Sequence, residues 1–466
     1  MRTLGAVATR IRILVAGAVI LAVALCAALV IAVRSARGGL DLIGHHSGPV
    51  VVATSDLYYE LSEMDTQVAN VLLVGDRTDL DVTRAGALER YEDRRRAVDD
   101  HLRQIANFAG GDAAAQRDLG DVMHAFGRYQ ALAAQAILAE SQAPSSAPGR
   151  PPAAALDLYR QATDLMHDDL LPAAQRVVRA EVGLVDREYA RTGSRLSVGY
   201  GWVAALGLAL LGILVALQVL LARAHHRVLN PAIAVATLAT FVVLLTGMSA
   251  VSDAEDGLDV AKRDSFDYTV TLHQARAVSY DAYGDQGRYL LDPARRHRYE
   301  SAFYEKSQQL VRTDATTVAR YDAALAYALS AYFSARRTVA FDGFLGRSLR
   351  HVAFTGELAA GENALRFYQT YQAADRRLRT SVANGDLVGA IRSYTGQSLS
   401  GANATLVPYL NALGRLIEIN ERGFAGAVSA GRRTLHGWGW RPPLLAVGVA
   451  VLLLVGAAPR LAEYRG

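Results

Sequence analysis

Two apolar runs on either side of a short basic connector dictate what this chain can become. They occupy residues 198–222 and 231–251, and the stretches Gly199 to Ala222 and Pro231 to Val251 contain no Asp, Glu, Lys or Arg. At about 1.5 Å per residue, an apolar helix of about 20 residues crosses the roughly 30 Å hydrocarbon core of a bilayer, so each run reads as a transmembrane helix. The connector, residues 223–230, carries Arg223, His225, His226 and Arg227 and is too short to fold by itself. The result is a helical hairpin whose turn lies on one membrane face.

Hydrophobic residues make up 51% of the chain, more than a soluble protein of this size needs, and the excess is concentrated. Residues 13–33 form a third apolar run and residues 442–459 a fourth, shorter one. Arg34 and Arg37 follow the first run with no small-x-small cleavage site between, which favours an uncleaved anchor over a signal peptide. The four spans isolate two polar segments, 34–197 and 252–441, each the size of a domain. Cys26, the single cysteine, lies within the first span, so neither segment can hold a disulfide or a cysteine metal site. The net charge of +4 comes largely from arginines beside the spans, and no basic patch interleaved with aromatics points to nucleic acid.

Positive residues near span ends set orientation. Arg2, Arg10 and Arg12 in tail 1–12, Arg223 and Arg227 in the connector, and Arg460 and Arg465 in tail 460–466 all belong to the cytoplasmic side. Both polar segments are then extracytoplasmic in a multi-pass protein of the cell membrane. Trp202, Trp438 and Trp440 fall at the outer ends of the second and fourth spans, where an indole can bury its ring and keep its N–H wet. The cytoplasmic parts are too small for a kinase or nucleotide-binding module.

Within the first segment, Gly38 to Pro49 reads as a breaker-rich linker, and Leu57, Leu61, Met64, Val68 and Val71 recur at the spacing of a helix packed in a bundle. Helices follow at about Thr83 to Phe108, Ala113 to Gln142, and from Ala153 with a bend at Pro172. The second segment predicts helices ending at Leu291, then Ala294 to Arg312, Thr316 to Phe341, Gly361 to Val382, and Leu387 to Arg422 bent near Pro408. The halves also match internally. Gly39-Leu40-Asp41 aligns with Gly257-Leu258-Asp259, and Leu72-Leu73 with Leu290-Leu291, which suggests a duplicated span-bundle-span unit. The fold class expected is an all-α membrane protein with four transmembrane helices and two tandem extracytoplasmic up-down helical bundles.

No nucleophile–base pair, helical zinc motif, phosphate loop or carboxylate pair in a plausible pocket is legible, so no enzyme, cofactor or metal is expected. Polar residues instead decorate the first helix of each bundle. Tyr58 and Asp65 lie seven apart beside the apolar seam, with Gln67 and Asn70 nearby. Asp281, Asp285 and Arg288 lie at i, i+4 and i+7 on a helix whose Ala277, Gly284 and Gly287 permit close approach. These seven residues are the candidates for docking a zwitterionic solute or a loop of another protein. The alternative is a solvated Asp285–Arg288 pair worth about 0.2–0.5 kcal/mol. Arg223 and Arg227 are candidates for contact with a cytoplasmic partner.

Leu57-Tyr58-Tyr59, followed by Met64-Asp65-x-Gln67-Val68-Ala69-Asn70-x-Leu72-Leu73-Val74-Gly75 on the four-span plan, resembles an actinobacterial membrane-protein family. Its members accompany an amino-acid-binding lipoprotein and the soluble Ser/Thr protein kinase G. The resemblance implies a relay of external glutamate, aspartate or glutamine availability, and it transfers no ligand residues. The expected function is a non-enzymatic transmembrane signal relay, with a scaffolding protein of the envelope as the alternative.

Overall fold

The structure, a computed structural model, describes the chain except for Met1, Ile43, Asp76, Thr78 and residues 45–47, 109–112, 144–146, 226–229, 335–337, 397–400 and 463–466. Its helices in the first half are α1 (Arg2–Asp41), α2 (Gly48–Val74), α3 (Arg84–Phe108), α4 (Ala113–Ser141), α5 (Ala153–Leu165) and α6 (Leu171–His225). The second half adds α7 (Pro231–Asp259), α8 (Asp267–Leu291), α9 (Arg296–Leu310), α10 (Val318–Ser334), α11 (Phe344–Arg350), α12 (Glu357–Ala383), α13 (Leu387–Thr395), α14 (Ala402–Thr434) and α15 (Arg441–Ala462). Among the described residues there is no strand, only one isolated bridge between Arg312 and Asp342.

The chain divides into two compact units, one of which comprises Met1–His45, Val185–Lys262 and Ala425–Gly466. Its core joins Ala18, Leu25 and Leu29 of α1, Leu210, Leu214 and Leu217 of α6, Ile233 and Leu244 of α7, and Val449 and Leu453 of α15. Ile20, Leu208, Leu238 and Leu454 point outward and are each more than 60% exposed. An apolar belt facing out from an apolar core is what lipid selects and water penalises. Three helical stretches, Thr9–Asp41, Ala153–Arg223 and Pro231–Leu291, are long and apolar enough to cross a membrane, while the apolar part of α15, Arg441–Ala457, is shorter. Small residues set the packing, since a Cβ on Gly207 would meet Leu244 at 2.4 Å and one on Gly247 would meet Trp438 at 3.1 Å.

Two expectations are corrected here. The glycines expected to break the chain between 38 and 49 are largely helical, because α1 continues through Asp41. Gly39 and Gly44 instead admit Thr192 and Val428 as close neighbours. Trp438 is not a wet interfacial indole; it is 4% exposed and packed on Gly247, whereas Trp202 and Trp440 are about 60% exposed.

The other unit, His46–Leu184 with Arg263–Phe424, contains most of both polar segments. Where the sequence suggests two bundles in tandem, these segments share one hydrophobic core, running through Leu57, Leu61 and Val68 of α2, Tyr129 of α4, Leu272 and Ala282 of α8, Tyr371 of α12 and Tyr409 of α14. Helix α2 packs along both α3 and α8. Arg160 of α5 grips Asp292 with a fork, Nε and Nη2 at 2.8 and 2.6 Å from its two oxygens, and Arg295 places Nη1 3.0 and 2.9 Å from the two oxygens of Asp164, so the segments are also joined by ion pairs.

The stops follow local chemistry. α8 ends at Leu291, where Pro293 cannot continue the hydrogen-bond ladder. The long helix expected over Leu387 to Arg422 is instead two helices, α13 ending at Gly396 and α14 carrying Pro408 inside it. The short α11, preceded by Gly343 with φ 94°, has too few residues for its periodicity to be legible.

The α2–α8 seam depends on Gly284, whose added Cβ would lie 2.6 Å from Thr66 Oγ1 and 3.1 Å from Arg288 Nη1. Overpacking of this kind costs about 1–3 kcal/mol. Gly284→Val is therefore expected to lower the melting temperature of the purified protein, while Gly414→Val, at a position where an added Cβ meets no atom within 4 Å, should cost less.

Candidate functional site

Where α2 meets α8, the structure buries a cluster of charges. Asp281, Asp285 and Arg288 share one face of α8 at a spacing of four and three, and Asp65 faces them from α2. Arg288 is 1% exposed and donates to all three carboxylates: Nη1 to Asp65 Oδ2 at 2.7 Å, and Nη2 to Asp281 Oδ1 at 2.9 Å and Asp285 Oδ1 at 2.7 Å. Lys306 of α9 bridges the other oxygens, with Nζ 2.8 Å from Asp281 Oδ2 and 2.6 Å from Asp285 Oδ2. The solvated Asp285–Arg288 pair that the sequence also allows is thus replaced by a buried network.

The first segment supplies the remaining partners. Asp65 accepts hydrogen bonds from Tyr129 at 3.1 Å, Tyr159 at 3.3 Å and Thr163 at 3.0 Å. His167 Nε2 lies 3.0 Å from Asp281 Oδ1. It sits in a π-helical turn, Met166–Leu170, just before Pro172, where the missing proline N–H and the ring both disturb the α-ladder. At the edge, the half-buried Tyr58 donates to Asp281 Oδ2 at 3.3 Å.

Three carboxylates thus face a guanidinium, an ammonium and an imidazole inside the protein. Burial alone would push the Asp281 carboxyl up, yet Lys306, His167 and Arg288 together hold it well below the usual range. Burial and the neighbouring Asp281 raise the Tyr58 phenol well above its ordinary value, so it remains a donor. His167, Asp281 and Asp285 bring ligand atoms within 4.8 Å of one another, a spacing a cation can use. Lys306 and Arg288 already contact both carboxylates, so the donor set is an ion-pair network rather than a cradle for a divalent metal.

Two open clefts flank this cluster. One, about 250 Å³, is lined by Ser55 and Tyr58 of α2, Gln175, Val178 and Arg179 of α6, and residues of α8, α9 and α11. The other, about 360 Å³, receives Gln67 and Asn70 of α2 with Glu63, Arg90, Asn403 and Asn411. There the Asn70 amide donates to Gln67 Oε1 at 3.2 Å, and Arg90 Nε donates to the same oxygen at 3.3 Å. Of the seven docking candidates, Tyr58, Asp65, Asp281, Asp285 and Arg288 therefore meet in one network, while Gln67 and Asn70 belong to the second cleft. Arg223 is exposed near the end of α6. Arg227, like His45, His46, His226 and Arg465, lies outside the described residues.

Sequence reading missed Lys306, His167, Tyr129, Tyr159 and Thr163. Only Lys306 left a signal, being one of two lysines among 49 basic residues. Both pair with carboxylates, Lys306 half-buried and Lys262 buried at 2.8 Å from Asp186.

A second buried ionisable group ties α8 to its surroundings. His273 is 3% exposed, with Nδ1 3.0 Å from Asp56 and Nε2 3.1 Å from Glu421. Burial opposes its charge, but the two carboxylates prevail and raise its pKa. The resulting stability is complete below about pH 6.5, the unfolded value, and is lost as pH rises through the higher folded value. His273→Gln should lower the melting temperature most at about pH 5–6 and flatten the alkaline side of the profile, measured by thermal scans across pH.

Removing one partner from a buried ion network strands the others and costs about 3–5 kcal/mol. Asp65→Ala should therefore sharply reduce thermal stability, and Asp65→Asn less so because it retains an acceptor for Arg288. Equal melting temperatures for wild type and Asp65→Ala would show that Arg288 finds other partners.

Residues 39–190 match a family model described as an actinobacterial sensor domain. That range supplies Asp65, Tyr129, Tyr159, Thr163 and His167 to the cluster, and the cationic residues Arg288 and Lys306 come from beyond it. No curated protein and no solved structure matches the chain. The helical spans and this similarity together point to a membrane-associated sensory role in an actinobacterial setting.

Proposed function

We propose that the chain is a non-enzymatic transmembrane signal relay with four spans, both termini and the 223–230 connector in the cytoplasm, and a duplicated span-bundle-span plan. It senses an external solute, an amino acid, either directly or through a solute-binding lipoprotein. It passes that event to a cytoplasmic partner such as a Ser/Thr protein kinase.

The similarity of residues 39–190 to a sensor domain carries this reading. Two features support it. Helix α6 carries Gln175, Arg176 and Arg179 in its early turns and is apolar in its later ones, so one element holds both polar cleft residues and a membrane-compatible stretch. The 223–230 connector joins two apolar helical stretches, so a shift of either can present it as a contact read by a separate protein. Arg223 and Arg227 supply charge for that contact.

The test combines topology with recruitment. In a Cys26→Ser background, a membrane-impermeant thiol reagent applied to intact cells should label a cysteine at Thr313 and not one at Ala224. With that topology preserved, Arg223→Gln combined with Arg227→Gln should weaken crosslinking of a cytoplasmic partner in native membranes. Labelling at Ala224 in intact cells would overturn the orientation and the relay with it.

A further inference from the structure

The cleft beside Tyr58 holds polar groups that the fold does not use. Ser55 is 2% exposed and lines it, yet its hydroxyl has no hydrogen-bond partner. Three other buried hydroxyls on the same two helices are paired: Ser62, Thr66 and Ser279 each donate to the carbonyl four residues earlier, at 2.9, 2.8 and 2.6 Å. A buried hydroxyl left unpaired costs about 1–3 kcal/mol, so Ser55 is a group awaiting a partner.

Its neighbours are equally unspent. Arg179 reaches the cleft from α6 and pairs with no carboxylate among the described residues. Gln175, Gln274 and Gln309 bring three amides, and none of these side chains hydrogen bonds within the described residues. No Asp or Glu lines the cleft. Val178, Ala277, Val278 and Phe344 form its apolar side. The volume, about 250 Å³, is just below the roughly 300–1,000 Å³ of sites for drug-sized ligands and suits a solute of a few heavy atoms.

We infer that this cleft binds a small free carboxylate with a short aliphatic body, the carboxylate on Arg179 and the glutamine amides and the body against Val278 and Phe344. Resting on the relay reading above, this assigns direct solute binding to a named site. One unpaired guanidinium among neutral donors, with no opposing carboxylate, selects an anion over a cation. The site also has a built-in readout. Tyr58 lines the cleft and donates to Asp281 Oδ2, so an occupant touching Tyr58 touches the α2–α8 charge network. Gln175, Val178 and Arg179 place the same occupant on α6.

Titration calorimetry on the full-length protein in lipid nanodiscs tests this with succinate, L-glutamate, butyrate and butylammonium as probes. At least one carboxylate should bind, and butylammonium should not. Arg179→Gln should weaken that carboxylate about tenfold or more, Arg179→Lys should retain part of the affinity, and Ser55→Ala should weaken it several-fold. Circular dichroism should show unchanged helicity for Arg179→Gln, an exposed side chain. Unaltered affinity in Arg179→Gln, equal binding of butylammonium, or no carboxylate binding at about 10 mM overturns the assignment. Those failures would leave a relay driven through a lipoprotein standing, since topology and partner recruitment test it separately.

Discussion

The contact between Asp65 and Arg288 is the constraint on which the rest of the larger unit depends. A guanidinium and a carboxylate at 1% and 0% exposure cannot exist apart inside a protein, so α2 and α8 must lie face to face at that height. That requirement explains the residues around it. Gly284 leaves room for Thr66 and for the guanidinium itself, and Gly287 leaves room for the ring of Tyr394. Tyr129, Tyr159 and Thr163 saturate Asp65 from the helices behind it, which draws α4 and α5 onto the same point.

Such a network adds little net stability, because desolvation of the charges offsets most of their attraction. What it fixes is register. Sliding α8 by one turn along α2 would leave at least one charge buried without a partner, a state several kcal/mol worse. The two halves of the chain are thereby held in one arrangement by groups that tolerate few others. A network with this property, touched at its edge by Tyr58, can report a small displacement as a discrete change of partners.

Much of this was legible in sequence, and the rest was not for identifiable reasons. Three of the four expected spans, the termination of α8 at Asp292-Pro293 and the helical stripes of α2 and α8 follow from patterns within one element, and these are what sequence periodicity encodes. Asp65, Asp281, Asp285 and Arg288 stood out because charged residues interrupt an otherwise buried face. Their mutual contact was not legible, since it joins residues 223 apart and no local pattern encodes which face meets which. For the same reason Tyr129, Tyr159 and Thr163 look like ordinary bundle residues until Asp65 is placed among them. Gly39 and Gly44 were misread because a glycine that admits a neighbour and a glycine that breaks a helix are the same letter.

The choice of lysine at 306 bears on the same network. This chain uses arginine for almost every positive charge, and arginine's planar fork suits the bidentate pair that Arg160 makes with Asp292. Between Asp281 and Asp285 the demand differs. The ammonium must contact two carboxylates at 2.8 and 2.6 Å while Arg288 occupies their other oxygens, and a compact point charge fits where a second fork would collide with the first. The Lys306 side chain stays 13% exposed, where Arg288 and Asp281 are each 1% exposed. The network is accordingly sealed at Asp65 and Arg288 and open at Lys306, His167 and Tyr58. Any event that alters it has to enter from that open side, where the cleft lined by Tyr58 also lies.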